Sequence, residues 1–192
     1  MIRRLYDWTL SLSAHPHALW ALAIVSFAES SFFPIPPDLI LIPMVLARPN
    51  KAFLIAGVCL VASVLGGVFG YAIGYFAYQE IGVPIFEALG KMDSIEEFNE
   101  RFRDVGFWAV LVGGLTPFPY KVMTILSGST GMPLGTFIVS SIVSRGLRFF
   151  IVAGLLWKFG APIKVFIEKY LGLLFTLFVA LLIGGFYLLR FL

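Results

Sequence analysis

Apolar residues fill most of this chain in long blocks, and short polar stretches separate the blocks. A bilayer crossing needs about 20 helical residues, and the blocks 52–78, 134–157 and 166–190 are long and apolar enough. We therefore predict a membrane-spanning helix in each of them. The blocks 18–47 and 106–133 are equally apolar, but prolines interrupt both. The pattern as a whole predicts an all-α membrane protein.

The two interrupted blocks are too short on either side of their prolines for a pair of full crossings, which would take about 20 residues each. We predict that each block forms a re-entrant helical hairpin, with its turn at the prolines. Non-helical backbone at membrane depth must be buried in protein or line a wet cavity. The hairpins are thus expected to enclose a site, and the turn residues are Pro34, Pro36, Pro37, Pro117 and Pro119.

Two further segments have helical patterns but are too polar to cross. Residues 1–17 place apolar side chains on one face, which is typical of an amphipathic helix lying in the membrane interface; an ordinary first helix packed on the protein fits equally well. Residues 79–105 predict a polar surface helix that ends near Gly106. Ser94 and Glu97 match a capping box, and Glu97 and Arg101 are spaced for an i,i+4 ion pair.

The distribution of positive charge predicts the orientation. The segments 1–17, 48–51 and 158–169 together hold seven lysines and arginines, whereas segment 79–104 holds three and is rich in acids. Because cytoplasmic loops carry the excess of basic residues, we place the N-terminus in the cytoplasm and the C-terminus outside.

An internal repeat follows from this topology. The pair Pro34-x-Pro36 recurs as Pro117-x-Pro119, and the same separation relates Asp38 to Lys121. Each unit consists of a broken hairpin and a span: repeat one covers 18–78 and repeat two covers 106–157. Since the units start on opposite sides, we predict an inverted repeat, which is typical of transporters. We also expect Asp38 to contact Lys121 at the membrane centre.

Five charged residues lie within the apolar blocks. A central charge costs roughly 2.5–3.5 kcal/mol on insertion scales, and such residues usually pair or face a cavity. One interpretation is a set of buried structural ion pairs; the other is a proton and substrate site between the hairpin tips. The residues are Glu29, Asp38, Lys121, Arg145 and Arg148.

The sign pattern favours a site for an anion and a proton. Arg145 and Arg148 are three positions apart and share a helix face, and two guanidinium groups suit a phosphate. An acid in an apolar environment holds its proton more readily, so we expect Glu29 to bind and release one.

Three glycines in block 52–78 recur every fourth residue. Small residues at this spacing let helices approach closely, so we interpret Gly66, Gly70 and Gly74 as helix-packing positions rather than ligand contacts.

Composition narrows the class of protein. The chain is 59% hydrophobic and only 13% charged, about half the usual 25%. It has one cysteine and no basic patch for nucleic acid, and no motif for a metal or another cofactor. Without a Ser/His or metal-ligand motif we predict no enzymatic activity, although Ser127 or Ser129 with Lys121 as base is the alternative left open.

The stretches "FAESSFFPIPPD", "GGVFGYAIGY", "TPFPYKVMTILSGSTGM" and "SRGLRFF" resemble the DedA family, also called the SNARE-associated or VTT-domain family, over about residues 20–160. The YqaA-like branch is the most similar. The resemblance implies two re-entrant hairpins and a bacterial inner-membrane carrier of undecaprenyl phosphate or a phospholipid, coupled to protons. It also implies that Glu29 corresponds to the family's important first-hairpin acid and Asp38 to its acid after the prolines.

One stretch departs from the family pattern. Members carry arginines in "R-F-x-P-G-x-R", whereas this chain has "GLTPFPYK", with Gly114 near the first arginine and Lys121 near the second. We predict a lipid transporter or flippase whose partners are a membrane lipid and protons. The alternatives are a proton-coupled exchanger of small ions or solutes and a non-transporting assembly factor, and homo-oligomer formation is left open.

Overall fold

The computed structural model describes residues 17–33, 36–116, 118–160 and 162. These residues form helices and connecting turns, with no strand among them. The predicted helix over 1–17, apart from His17, and the predicted span over 166–190 lie outside the described residues. The α-helices are α1 Ala18–Ser31, α2 Asp38–Ala47, α3 Ala52–Ala77, α4 Val83–Ala88, α5 Met92–Leu115, α6 Tyr120–Ser129 and α7 Leu134–Phe159.

Two long apolar stretches of this part of the chain could cross a membrane. They are the helical stretch Pro49–Ala88, which contains α3, and the helix α7. Each of α3 and α7 has 26 residues and is therefore about 39 Å long, against about 30 Å for the hydrocarbon core. These helices correspond to the spans predicted over 52–78 and 134–157.

Two pairs of elements correspond to the predicted hairpins. The helices α1 and α2 contain 14 and 10 residues and are separated by a break at the first proline cluster. At about 1.5 Å per residue, neither reaches across a bilayer. A second break at Thr116–Pro119 separates α5 from α6, which has 10 residues. The re-entrant, inverted arrangement remains a prediction.

The boundary predicted near Gly106 is not present. The helix α5 runs without interruption from the polar segment through Gly106 to Leu115, so the surface helix and the first arm of the second hairpin are one element. Gly106 packs closely on the side chain of Met132, where its lack of a side chain aids contact rather than ending the helix. The capping box is also absent, because α5 begins at Met92 and makes no side-chain cap bond.

The helix α3 lies at the centre of the described residues and packs against α1, α6 and α7, while α7 also packs against α5. Two apolar clusters form the core. One joins α1, α2, α3 and α7 and includes Leu22, Leu41 and Phe149; the other joins α5, α6 and α7 and includes Tyr120 and Phe137. Arg145 lies where these clusters meet, since it contacts Tyr120 of one and Phe149 of the other.

Candidate functional site

Arg145 of α7 is the centre of a buried polar network. Its Nη2 donates to Glu29 Oε2 of α1 at 2.8 Å, and its Nε donates to Ser63 Oγ of α3 at 2.8 Å. Ser63 and Ser30 share a hydrogen bond of 2.7 Å, and Ser30 donates to Glu29 at 3.3 Å. The arginine is only 2% exposed. A buried charge is tolerated only when it is paired and hydrogen-bonded. The network meets both conditions for the guanidinium of Arg145.

Two aromatic rings complete the surroundings of Arg145. Its guanidinium carbon lies 4.7 Å from the centre of the Tyr120 ring and 4.6 Å from that of Phe149. Cation–π contacts within about 6 Å are attractive. Since Tyr120 belongs to one apolar cluster and Phe149 to the other, the arginine connects the two halves of the core.

Arg148 connects the two breaks. Its Nη2 donates to Asp38 Oδ2, at the start of α2, at 2.7 Å, and its Nη1 donates to the Thr116 carbonyl, at the end of α5, at 3.1 Å. Carbonyl groups at a helix end lack helical partners, so the arginine satisfies one of them. The side chains of Arg148 and Asp38 are 24% and 19% exposed, and this ion pair is therefore wetter than that of Arg145.

The predicted contact between Asp38 and Lys121 is not formed as an ion pair. Asp38 pairs with Arg148 instead, because Arg148 lies one helical turn along α7 from Arg145 and faces the N-terminus of α2. Both acids of the first unit are thus matched with arginines of the second.

A cavity of about 280 Å³ opens beside these ion pairs. Glu29, Arg145 and Arg148 contribute to its polar wall, together with Lys121 of α6. Its remaining wall comes from the two breaks, and those residues are Phe33, Pro36, Phe118 and Pro119. The cavity therefore combines apolar and charged groups in one wall.

Lys121 differs from the arginines in its pairing. It lines the cavity and is half-buried, yet among residues 17–33, 36–116 and 118–160 it takes part in no ion pair. Two acids and two arginines cancel one another in charge, so Lys121 gives the cavity an excess of one positive charge.

The predicted turn prolines are distributed around this cavity. Pro36 and Pro119 line it, and Pro37 is buried at the start of α2. Pro34 and Pro117 lie outside the described residues.

The three glycines of α3 lie at its closest helix contacts. A Cβ atom on Gly66 would overlap the carbonyl of Phe27 in α1, and one on Gly74 would overlap the carbonyl of Ile125 in α6. A Cβ on Gly70 would meet the hydroxyl of Thr124. The glycines therefore let α1 and α6 pack against α3, which brings Glu29 and Lys121 to the same region.

Sequence reasoning missed the hydroxyl groups around the charges. Ser30, Ser63 and Thr124 are fully buried, and Thr124 donates to the Ser30 carbonyl at 3.1 Å. Tyr120 donates to Ser141 at 2.5 Å. A usable signal was present in α7, where Ser141, Arg145 and Arg148 recur at i, i+4 and i+7 on one face of an apolar helix.

The described residues contain no cluster of three or more His, Cys, Asp or Glu side chains that could hold a metal ion. The network provides carboxylates, guanidinium groups and hydroxyls, and the cavity wall adds the amine of Lys121. Groups of these kinds can bind an anion or exchange a proton.

Comparison with known proteins places the chain in a family. The VTT domain matches residues 35–158. An uncharacterized protein of Haemophilus influenzae is 39% identical over 168 residues, which cover 85% of this chain and 87% of that protein. An uncharacterized protein of Histophilus somni gives the same values, 39% identity with 85% and 87% coverage. One from Methanocaldococcus jannaschii is 22% identical over 140 residues, or 69% of this chain and 79% of that protein.

No solved structure matches the chain significantly. The VTT domain is the domain of the DedA family of membrane proteins, and its match covers more than half of the sequence, including every charged residue of the cavity except Glu29. The chain therefore belongs to the VTT-domain, or DedA, family of membrane proteins.

Proposed function

We propose that this protein is a membrane transporter that moves a phosphate-headed lipid, such as undecaprenyl phosphate or a phospholipid, across a bacterial inner membrane. Membership of the VTT-domain family is consistent with a transporter or flippase. The observation that carries the proposal is the cavity between the two breaks. Apolar residues form part of its wall, and Lys121, which has no ion-pair partner within the described residues, forms another part.

The balance of charge favours an anionic headgroup. Arg145 and Arg148 are each held by a carboxylate at 2.8 and 2.7 Å, so neither is immediately available to a ligand. Lys121 carries the remaining positive charge and provides up to three donors to phosphate oxygens. The first contact of the headgroup is thus with Lys121, and the apolar part of the cavity wall accommodates the adjoining part of the lipid tail.

A proton on Glu29 would change this balance. Protonation removes the negative charge opposite Arg145, which is buried and needs an anion nearby. A phosphate oxygen then replaces the carboxylate as the partner of Arg145, and release of the phosphate lets Glu29 lose its proton and re-form the pair. This exchange couples lipid movement to protons.

The proposed arrangement in the membrane follows from helix lengths and loop charges. In this arrangement α1 and α2 form one re-entrant hairpin, and the apolar end of α5, from about residue 106, forms the other with α6. The two hairpins enter from opposite sides, and the spanning helices α3 and α7 pack between them. The N-terminus is in the cytoplasm, as the excess of basic residues in the segments on that side indicates.

The test is a headgroup-flip assay with purified protein in proteoliposomes, using undecaprenyl phosphate or fluorescent phospholipids, with and without a pH gradient. Wild-type protein should move at least one of these lipids faster than empty vesicles. The variant Glu29→Gln should lose the response to the gradient. Arg101→Gln, at an exposed ion pair of α5, is the matched control and should behave as wild type.

Other outcomes would identify the alternatives. Transport of small ions without lipid would favour the exchanger, and release of inorganic phosphate from the lipid would favour an enzyme. If proteoliposomes with folded protein transport nothing, and the cellular role of the protein survives Glu29→Gln, the protein is an assembly factor and the transport proposal is wrong.

A further inference from the structure

A second concave site lies away from the charged cavity, where the membrane-spanning helix α3 gives way to the polar segment. It is a groove of about 380 Å³ between the end of α3, the following turns, α5 and α6. Ligand pockets commonly have volumes of about 300–1,000 Å³. Its lining is almost wholly apolar and includes Ala77, Ile81, Phe86, Ile95, Phe98 and Leu126.

The backbone at this groove is unusual. Residues Tyr78–Gly82 form a π-helical turn between α3 and α4, and Tyr78, Ile81 and Gly82 line the groove. Such π-turns are rare and occur frequently at functional sites. Here the wider turn sets Ile81 at the groove, where its side chain is 61% exposed.

A polar pocket of about 160 Å³ adjoins the groove. The two share Tyr78, Asn99 and Ser129. Asn99 is only 5% exposed, and its Nδ2 donates to the Tyr78 hydroxyl at 3.2 Å. The polar pocket also contains Glu96 and Arg103, which form an ion pair of 3.1 Å whose side chains are 56% and 38% exposed.

We propose that this composite site binds one phospholipid, with an acyl chain in the apolar groove and a zwitterionic headgroup against Glu96 and Arg103. An apolar groove that leads into a polar pocket matches an amphiphile. Glu96 and Arg103 form an exposed ion pair, and exposed ion pairs contribute little stability. The carboxylate and the guanidinium can therefore exchange each other for an ammonium and a phosphate group, respectively, which matches a headgroup that carries both charges.

The bound lipid has a structural consequence. It fills the space between α3, α5 and α6, all of which contribute to the groove. Its lining shares no residue with the charged cavity, so variants of the two sites can be tested separately.

The test uses the full chain in proteoliposomes that contain phosphatidylethanolamine with a photoreactive acyl chain. Labelled peptides should come from the groove helices. Ile81→Trp should fill the groove and reduce this labelling about tenfold, the loss expected when about two methylenes lose their contacts. Ile85→Trp is the matched control, because Ile85 is also exposed and lies outside the groove lining; it should label as wild type.

A second measurement tests the headgroup and does not depend on how Ile81→Trp folds. Glu96→Gln should shift labelling from phosphatidylethanolamine towards phosphatidylglycerol, whereas Glu97→Gln, at the neighbouring exposed ion pair, should not. Equal labelling in wild type and Ile81→Trp would overturn the proposal. So would an unchanged lipid preference in Glu96→Gln, or cross-linking of the groove to residues 166–190 in place of lipid.

Discussion

Glu29 and Arg145 are 116 positions apart in the sequence and form an ion pair of 2.8 Å between α1 and α7. The pair is largely buried, with side chains 15% and 3% exposed, and two buried serines hydrogen-bond to it. Like the Asp38–Arg148 pair, it links the two proline-broken units, because each partner comes from a different unit.

Removal of one partner of this pair should destabilise the protein strongly. Arg145→Met leaves the Glu29 carboxylate without its cation, and breaking a buried pair typically costs about 3–5 kcal/mol. We expect a clearly lower midpoint of thermal unfolding in detergent. The double variant Glu29→Leu/Arg145→Met removes both charges and should recover most of the loss; a double variant as unstable as Arg145→Met would contradict the assignment.

The second ion pair should couple the two breaks energetically. Asp38→Asn and Arg148→Gln each remove one charge, and Arg148 also donates to the Thr116 carbonyl. Residues in one network show interaction energies of about 0.5–3 kcal/mol in double-mutant cycles, so the double variant should be less unstable than the two single losses predict together. Additive losses, measured as unfolding free energies, would show that the contact is not formed.

The glycine contacts of α3 can be tested within one helix. Gly74→Ala places a Cβ atom against the Ile125 carbonyl, and overpacking of this kind typically costs about 1–3 kcal/mol. Gly57→Ala is the control, because a Cβ there meets nothing within 4 Å. We expect Gly74→Ala alone to lower the unfolding midpoint, and equal midpoints for the two variants would count against tight packing at Gly74.

Hydropathy and proline positions were sufficient to predict the helices α3 and α7 and the breaks after α1 and α5, because burial in lipid and the missing proline N–H act locally. The prediction that the polar helix ends near Gly106 is wrong, because α5 continues to Leu115. A glycine inside a helix is tolerated where a neighbour, here Met132, packs against it. Met132 is 26 positions away in the sequence, so the local hydrophobic pattern around Gly106 does not reveal this contact.

The sequence also identifies the five charged residues of the apolar blocks, but it does not show which of them form ion pairs with one another. The internal repeat related Asp38 to Lys121, yet Asp38 is held by Arg148. Pairing depends on the rotation of α7 against α2 and α3, which tertiary packing fixes. Ser30 and Ser63 were missed for the same reason, because their role appears only when α1 and α3 approach.

Lys121 should determine the affinity for the anionic headgroup in the proposed transport cycle. Lys121→Met removes the cation of the cavity that has no ion-pair partner within the described residues. A hydrogen bond to a charged group contributes about 1.5–3 kcal/mol, so the apparent affinity for lipid phosphate should fall about tenfold to a hundredfold. Lys121→Arg keeps the charge and should retain transport, while Lys158→Met at the end of α7 is the control for loss of a lysine outside the cavity. The apparent affinity of each of the three variants is measured from the dependence of the flip rate on lipid concentration. If Lys121→Met and Lys158→Met transport equally well at low lipid concentration, the headgroup does not bind Lys121, and the excess charge of the cavity has another purpose.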